Sequence, residues 1–124
     1  MSNGTYLFHQ EDKENLIFYG ILYGKISLRI NVNTKEVTYD DLHENPNKYI
    51  PIYDVNKPGK ILYYEFEKVI LNEGNFFGEN SIINHRPRNA TAVAIGETEL
   101  IFLRENNFRS CFNVFFINYY FREV

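Results

Sequence analysis

One carboxylate and one guanidinium, Glu79 and Arg88, stand nine residues apart around a glycine and a proline. The stretch that holds them, NFFGENSIINHRPRNATAVA over 75–94, is where the chain departs from strand-like patterning. Gly78 precedes the carboxylate, so a ligand can approach the backbone with no Cβ in the way. If Ser81-Ile82-Ile83 continue as one helical turn, the amides of residues 80–82 point out of its N-terminus, where free N–H groups and the dipole favour an anion. Arg88 adds a planar donor fork suited to phosphate, and Pro87 fixes the backbone ahead of it. Glu79, acceptor-only when ionised, suits hydroxyl donors such as those of a ribose. Asn89-Ala90-Thr91 open the next strand with small side chains, which leaves room for a flat ligand. A phosphate at one end and a sugar at the other describe a nucleotide with one phosphate.

The elements that must position these residues are mostly strands. Thr5–His9 is a short strand candidate and Gln10–Asn15 a charged turn. Leu16–Tyr23 is almost wholly apolar, as a buried strand should be, with Gly20 marking a bulge or a close backbone approach. From Lys25 to Val32 apolar Ile26, Leu28, Ile30 and Val32 alternate with Lys25, Ser27, Arg29 and Asn31, the period of a strand with one wet and one dry face. Gly24 between the two runs predicts an antiparallel hairpin. Residues 33–60 break the pattern with Asn, Asp, Lys and three prolines. They read as a polar insertion, with Val37–Tyr39 and Tyr49–Tyr53 as candidate edge strands. Ile61–Leu71 returns to strand character, Asn72-Glu73-Gly74 is a turn, and Gly96 turns the chain into a last strand at Leu100–Leu103. From Glu105 the period becomes helical, with Phe108, Phe112, Phe115/Phe116 and Tyr119 on one stripe. Many short strands followed by one helix predict a barrel or jelly roll with that helix packed against it.

Composition excludes several classes. A chain of 124 residues is one domain, and 44% hydrophobic content excludes disorder. A net charge of −3 gives no basic excess for nucleic acid. No apolar run reaches the ~18 residues of a membrane span, and the N-terminus has no signal-peptide pattern. Cys111 is the single cysteine, which fits a reducing, cytoplasmic setting. His9, His43 and His85 are scattered, so no metal site is expected, and no nucleophile has an adjacent base. The chain is therefore expected not to be an enzyme and to need no cofactor.

The run FGENSIINHRPRNATAVA closely resembles the phosphate-binding cassette of cyclic nucleotide-binding domains: Phe-Gly-Glu, a short helix, then Pro-Arg and small residues, with no gap needed. FYGILYGKISLRI resembles the family's upstream strand-Gly-strand hairpin, and Leu100–Phe112 its last strand and following helix. The likeness covers most of the chain except 33–60. It implies a mainly β fold, a double-stranded β-helix (jelly-roll) barrel of eight strands with a C-terminal helix packed on it. The implied unit is a single domain over 1–124 with a polar insertion at about 33–60. The implied ligand is cAMP or cGMP, held by Phe77, Gly78, Glu79, Asn80, Ser81, Arg88, Asn89, Ala90 and Thr91. By position, Glu79 would accept the ribose 2′-hydroxyl, Arg88 would pair with the cyclic phosphate, and the backbone of Gly78, residues 80–82 and Ala90 would complete the cradle. The implied role is a non-catalytic sensor acting on a protein effector or assembly, whose ligand orders 79–83 and re-docks the C-terminal helix. Asn80 and Asn84 are polar where the family is apolar, Asn89 suits either base, and the lid helix is expected to be absent or short. These departures, with the insertion, keep a ligand-free scaffold or interaction module as the alternative.

Overall fold

A computed structural model describes residues 2–13, 17–79 and 86–104. Six strands lie in this part of the chain: β1 (Tyr6–Phe8), β2 (Ile17–Val32), β3 (Tyr49–Tyr53), β4 (Ile61–Leu71), β5 (Phe76–Phe77) and β6 (Thr91–Arg104). One short helix, α1 (Tyr39–Glu44), follows a 3-10 turn at Thr34–Glu36. All pairings are antiparallel. The order across the sheet is β1-β6-β2-β4-β3, and β5 pairs with β2 outside that path.

This order corrects the expected jelly-roll barrel. The path ends at β1 on one side and β3 on the other, and the two do not pair, so the sheet stays open. Both edges are poor templates for closure. β1 has three residues, and β3 carries Pro51, which has no N–H to offer a further neighbour. The helix expected from Glu105 and the turn expected over 81–83 lie outside the described residues.

The predicted hairpin at Gly24 is also corrected. β2 runs unbroken for 16 residues, and β6 likewise runs through Gly96. The glycines mark a bulge shared by the two strands. Tyr23 faces Glu99 but Lys25 faces Ile95, so β6 takes up extra residues there. Gly24 sits at φ +91°, and a Cβ on it would lie 2.4 Å from the Glu97 carbonyl oxygen. A glycine in a strand can mean a turn or a bulge, and here β6 crosses too close for a turn.

The period-two stretch places Ile26 and Ser27 on opposite faces, as expected. The core gathers on the Ile26 side, where Ile26, Ile21, Phe77, Ala92 and Ala94 are buried. The other side is polar but not wet, since Ser27 is 0% exposed. Tyr6 Oη donates to Glu65 Oε1 at 2.8 Å, and Arg29 Nη1 pairs with the same oxygen at 3.1 Å. Ser27 Oγ donates to Glu67 Oε2 (2.6 Å) and accepts from Arg29 Nε (3.1 Å). Buried polar groups must be partnered, and these partner each other.

Residues 33–60 have structure of their own. Tyr49–Tyr53 is an edge strand as expected, paired to β4. Val37–Tyr39 is not a strand, because Tyr39 opens α1. Thr38 Oγ1 accepts from Asp41 N (3.1 Å) while Asp41 Oδ2 accepts from Thr38 N (2.9 Å), a reciprocal cap that starts the helix.

Candidate functional site

Arg88 is cationic and yet only 2% exposed. Its position follows from the strands on either side. Nη1 donates to the Gly78 carbonyl just after β5 at 2.9 Å, and Nη2 to the Ile17 carbonyl at the start of β2 at 2.8 Å. The guanidinium carbon lies 4.2 Å from the centre of the Phe8 ring at the end of β1. A desolvated guanidinium over an aromatic face gains about 1–2 kcal/mol. Burial pulls the guanidinium below its ordinary pKa, and Tyr19, Asp12 and Glu79 pull it back up. An arginine remains protonated through such shifts, so the site carries a fixed positive charge in a poorly solvated place. In turn, burial raises the Tyr19 phenol and Arg88 lowers it.

Gly78 is required where it stands. Its φ is +89°, and a Cβ there would lie 2.7 Å from Arg88 Nη1 and 2.9 Å from the Ile17 carbonyl oxygen. Only glycine lets the β5 exit present its carbonyl to the guanidinium at this distance. Phe77, one residue earlier, is buried and stacks on Tyr19 with ring centres 5.2 Å apart, which anchors the exit to β2.

These residues open onto a cavity of about 440 Å³, within the range of small-ligand sites. Phe77, Gly78 and Glu79 form one wall; Arg88, Asn89 and Ala90 form another. Six of the nine residues anticipated from the sequence thus converge. Thr91 does not line the cavity: it is 1% exposed, and its Oγ1 accepts from the Gln10 N–H at 2.8 Å. Asn80 and Ser81 lie outside the described residues. The rest of the apolar lining, Phe8, Leu28, Leu71 and Phe76, was not anticipated. Leu28 and Leu71 carry the period-two signal of their strands, but only the β2–β4 register brings them under the same opening. A half-buried acid and a buried guanidinium in one apolar cavity can hold a ligand with hydroxyl donors at one end and an anion at the other.

Residues 53–114, half of the chain, match the cyclic nucleotide-binding domain family. The chain belongs to that family. The cyclic nucleotide-binding domain is a regulatory module, not an enzyme. No curated protein sequence matches the chain. Among solved structures, the domain is similar to the regulatory domain of Toxoplasma gondii PKA crystallised with cAMP (TM-score 0.64, 18% identity, over 99% of this chain and 36% of that one). It is similar to the Thermus thermophilus catabolite activator protein (TM-score 0.63, 21% identity, over 96% and 43%). It is also similar to the regulatory subunit of a cAMP-independent protein kinase A from Trypanosoma cruzi bound to guanosine (TM-score 0.63, 16% identity, over 95% and 31%). The chain spans less than half the length of each of these proteins. At these identities the likeness establishes the fold. Among the described residues no helix is long and apolar enough to cross a membrane.

Proposed function

We propose that this domain is a sensor that binds one cyclic nucleotide, cAMP or cGMP, in the cavity between Gly78 and Arg88. The observation that carries the reading is a cationic side chain held 2% exposed in the wall of a cavity that also presents Glu79. Arg88 would donate to the cyclic phosphate. Glu79 would accept a ribose hydroxyl, and Gly78, Ala90 and the backbone of Asn80 and Ser81 would complete the cradle. Phe77 and Asn89 would close the walls, and Phe8, Leu28 and Leu71 would meet apolar ligand surface. We take the 124 residues as one such domain carrying 33–60 as an insertion. Similarity to the regulatory domain of a PKA and to a catabolite activator protein supports a protein effector for this chain. A single cysteine supports a cytoplasmic setting.

Calorimetric titration with cAMP and cGMP tests the reading. Losing charge-assisted bonds worth about 1.5–3 kcal/mol each, Arg88→Ala should bind roughly ten- to hundredfold more weakly. Wild-type affinity in the Arg88→Ala protein would remove Arg88 from the site.

One observation favours the ligand-free scaffold as a second reading. The guanidinium already donates to two carbonyls of the protein itself, so part of its donor fork is taken up within the domain. Thermal melting separates the two. A nucleotide at about 100 times its dissociation constant adds ~2.7 kcal/mol, whereas a scaffold melts at the same temperature with and without millimolar cAMP or cGMP.

A further inference from the structure

The turn after β1 holds Arg88 by its backbone. Its polar sequence, HQEDK over 9–13, would pass for a solvated connection. Yet Glu11 N donates to the Arg88 carbonyl at 2.7 Å and Arg88 N donates to the Asp12 carbonyl at 2.9 Å, a two-bond bridge to the arginine's own backbone. The turn is fixed internally, with His9 N donating to Asp12 Oδ2 (2.8 Å) and Asp12 N donating back to the His9 carbonyl (3.1 Å). Gln10 ties it to the sheet twice. Its N–H donates to Thr91 Oγ1 (2.8 Å), and its Oε1 accepts from Asn31 N (2.7 Å). Glu11 is the one non-glycine residue with a positive φ among the described residues, at +75°. A side-chain-bearing residue is rarely held there, and such a conformation persists only where its surroundings over-determine it.

We infer that this turn is the seat of the ligand arginine, and that Thr91 and Asp12 are positioning residues that fix where the Arg88 guanidinium meets the ligand's phosphate. The inference rests on the cyclic nucleotide reading. The backbone bridge sets the origin of the arginine side chain, and Phe8, just before the turn, lies against its tip. The Gly78 and Ile17 carbonyls fix the tip itself. A charge-assisted bond loses strength steeply with distance and angle, so a turn that slips weakens phosphate binding without changing any residue of the cavity. Thr91 follows Asn89 and Ala90 in sequence but acts from behind the wall.

Titrations of Thr91→Val and Thr91→Ser with cAMP, cGMP, adenosine and guanosine test this. Thr91→Val removes the acceptor for Gln10 N and keeps the shape. It should bind cyclic nucleotide about tenfold more weakly, the worth of roughly one hydrogen bond, with nucleoside affinity unchanged. Thr91→Ser should restore wild-type binding. Asp12→Ala, in the exposed part of the turn, should show the same phosphate-selective loss relative to Asp12→Asn, which keeps the acceptor without the charge. Equal losses for nucleoside and cyclic nucleotide, or no loss in either Val or Ala variant, overturn the inference. If the wild-type protein binds neither cyclic nucleotide, the functional reading fails and positioning is judged by solvent exchange of the Arg88 Nε–H signal in NMR. Faster exchange in Thr91→Val than in wild type and Thr91→Ser supports the seat, and equal exchange in all three overturns it.

Discussion

Among the described residues two arginines are enclosed, and they are held in different ways. Arg29, on the polar face of β2, pairs with the Glu65 carboxylate at 3.1 Å, and the side chains are 15% and 2% exposed. Arg88, at the cavity, donates at its tip to the carbonyls of Gly78 and Ile17 and lies over the Phe8 ring, with Asp12 and Glu79 also acting on its charge. A carboxylate cancels a guanidinium's unit charge at close range. Carbonyl dipoles and a ring fix its direction, and the guanidinium contributes a field to the cavity it lines that Asp12 and Glu79 partly offset. At an effective dielectric of about 20, a unit anion 4 Å away would gain ~4 kcal/mol from that field. The first arrangement makes a strut. The second holds a guanidinium in the wall of a cavity.

Removing the strut should produce the largest effect on stability. Glu65→Ala leaves Arg29 without its counter-charge and the Tyr6 hydroxyl without its acceptor. Breaking a buried pair from one side costs about 3–5 kcal/mol, a large part of the ~5–15 kcal/mol that holds a domain together. Urea unfolding should show that loss, while affinity for cyclic nucleotide stays within about twofold, since the sheet separates the two arginines. A parallel fall in affinity would mean the two faces are one unit.

Arg88 should show the reverse balance. Its replacement by alanine removes the ligand's charge-assisted bonds, worth about 1.5–3 kcal/mol each. It also relieves the cost of burying a cation, which offsets the lost carbonyl bonds. Stability of the unliganded domain should therefore change by under ~1 kcal/mol, read by the same urea titration. Arg88→Lys keeps the charge but not the planar fork, so its affinity should fall between wild type and alanine.

Gly78→Ala should move both quantities together. The residue would sit at φ +89° with its Cβ 2.7 Å from Arg88 Nη1. Strain of this kind costs about 1–3 kcal/mol. Because the guanidinium must shift to relieve it, affinity for cyclic nucleotide should drop along with the unfolding midpoint. A loss of stability with wild-type affinity would show that the guanidinium's exact seat does not matter.

The site was more legible in the sequence than the fold. The meeting of Phe77–Glu79 with Arg88–Ala90 at one cavity could be anticipated because glycine, acid, proline and arginine stand within a dozen residues. The open sheet could not be read, because strand order depends on which edges meet, and alternation in β2 says nothing of that. Gly24 signalled an irregularity, but only the approach of Glu97 and Thr98 turns it into a bulge instead of a hairpin. The helix α1 was hidden because its cap uses Asp41 where glutamate or glutamine is the usual partner. The polar face was misjudged for a related reason. Ser27 and Arg29 look solvated in the sequence, and only Glu65 and Glu67, some forty residues away, explain how they can be buried.

The smallest effect concerns the outer end of the strut. Burial first, and then the bond to Glu65, push the Tyr6 phenol from 10.0 up to about 12, with Arg29 opposing and Tyr63 reinforcing the shift. His9 stacks on Tyr6 with ring centres 4.8 Å apart. The folded state therefore holds the phenolic proton more tightly than the unfolded chain does. Its contribution is complete below pH 10 and is lost as pH rises through about 12. Tyr6 is 36% exposed, so the bond contributes only about 1 kcal/mol. The sequence holds ten tyrosines, which makes the difference between two proteins the informative quantity. Tyr6→Phe should be about 1 kcal/mol less stable than wild type at pH 8, with the two unfolding curves converging toward pH 12. Curves that stay parallel would mean that Tyr6 packs against the strut without bonding to it, leaving Arg29 as the sole partner of Glu65 on that face.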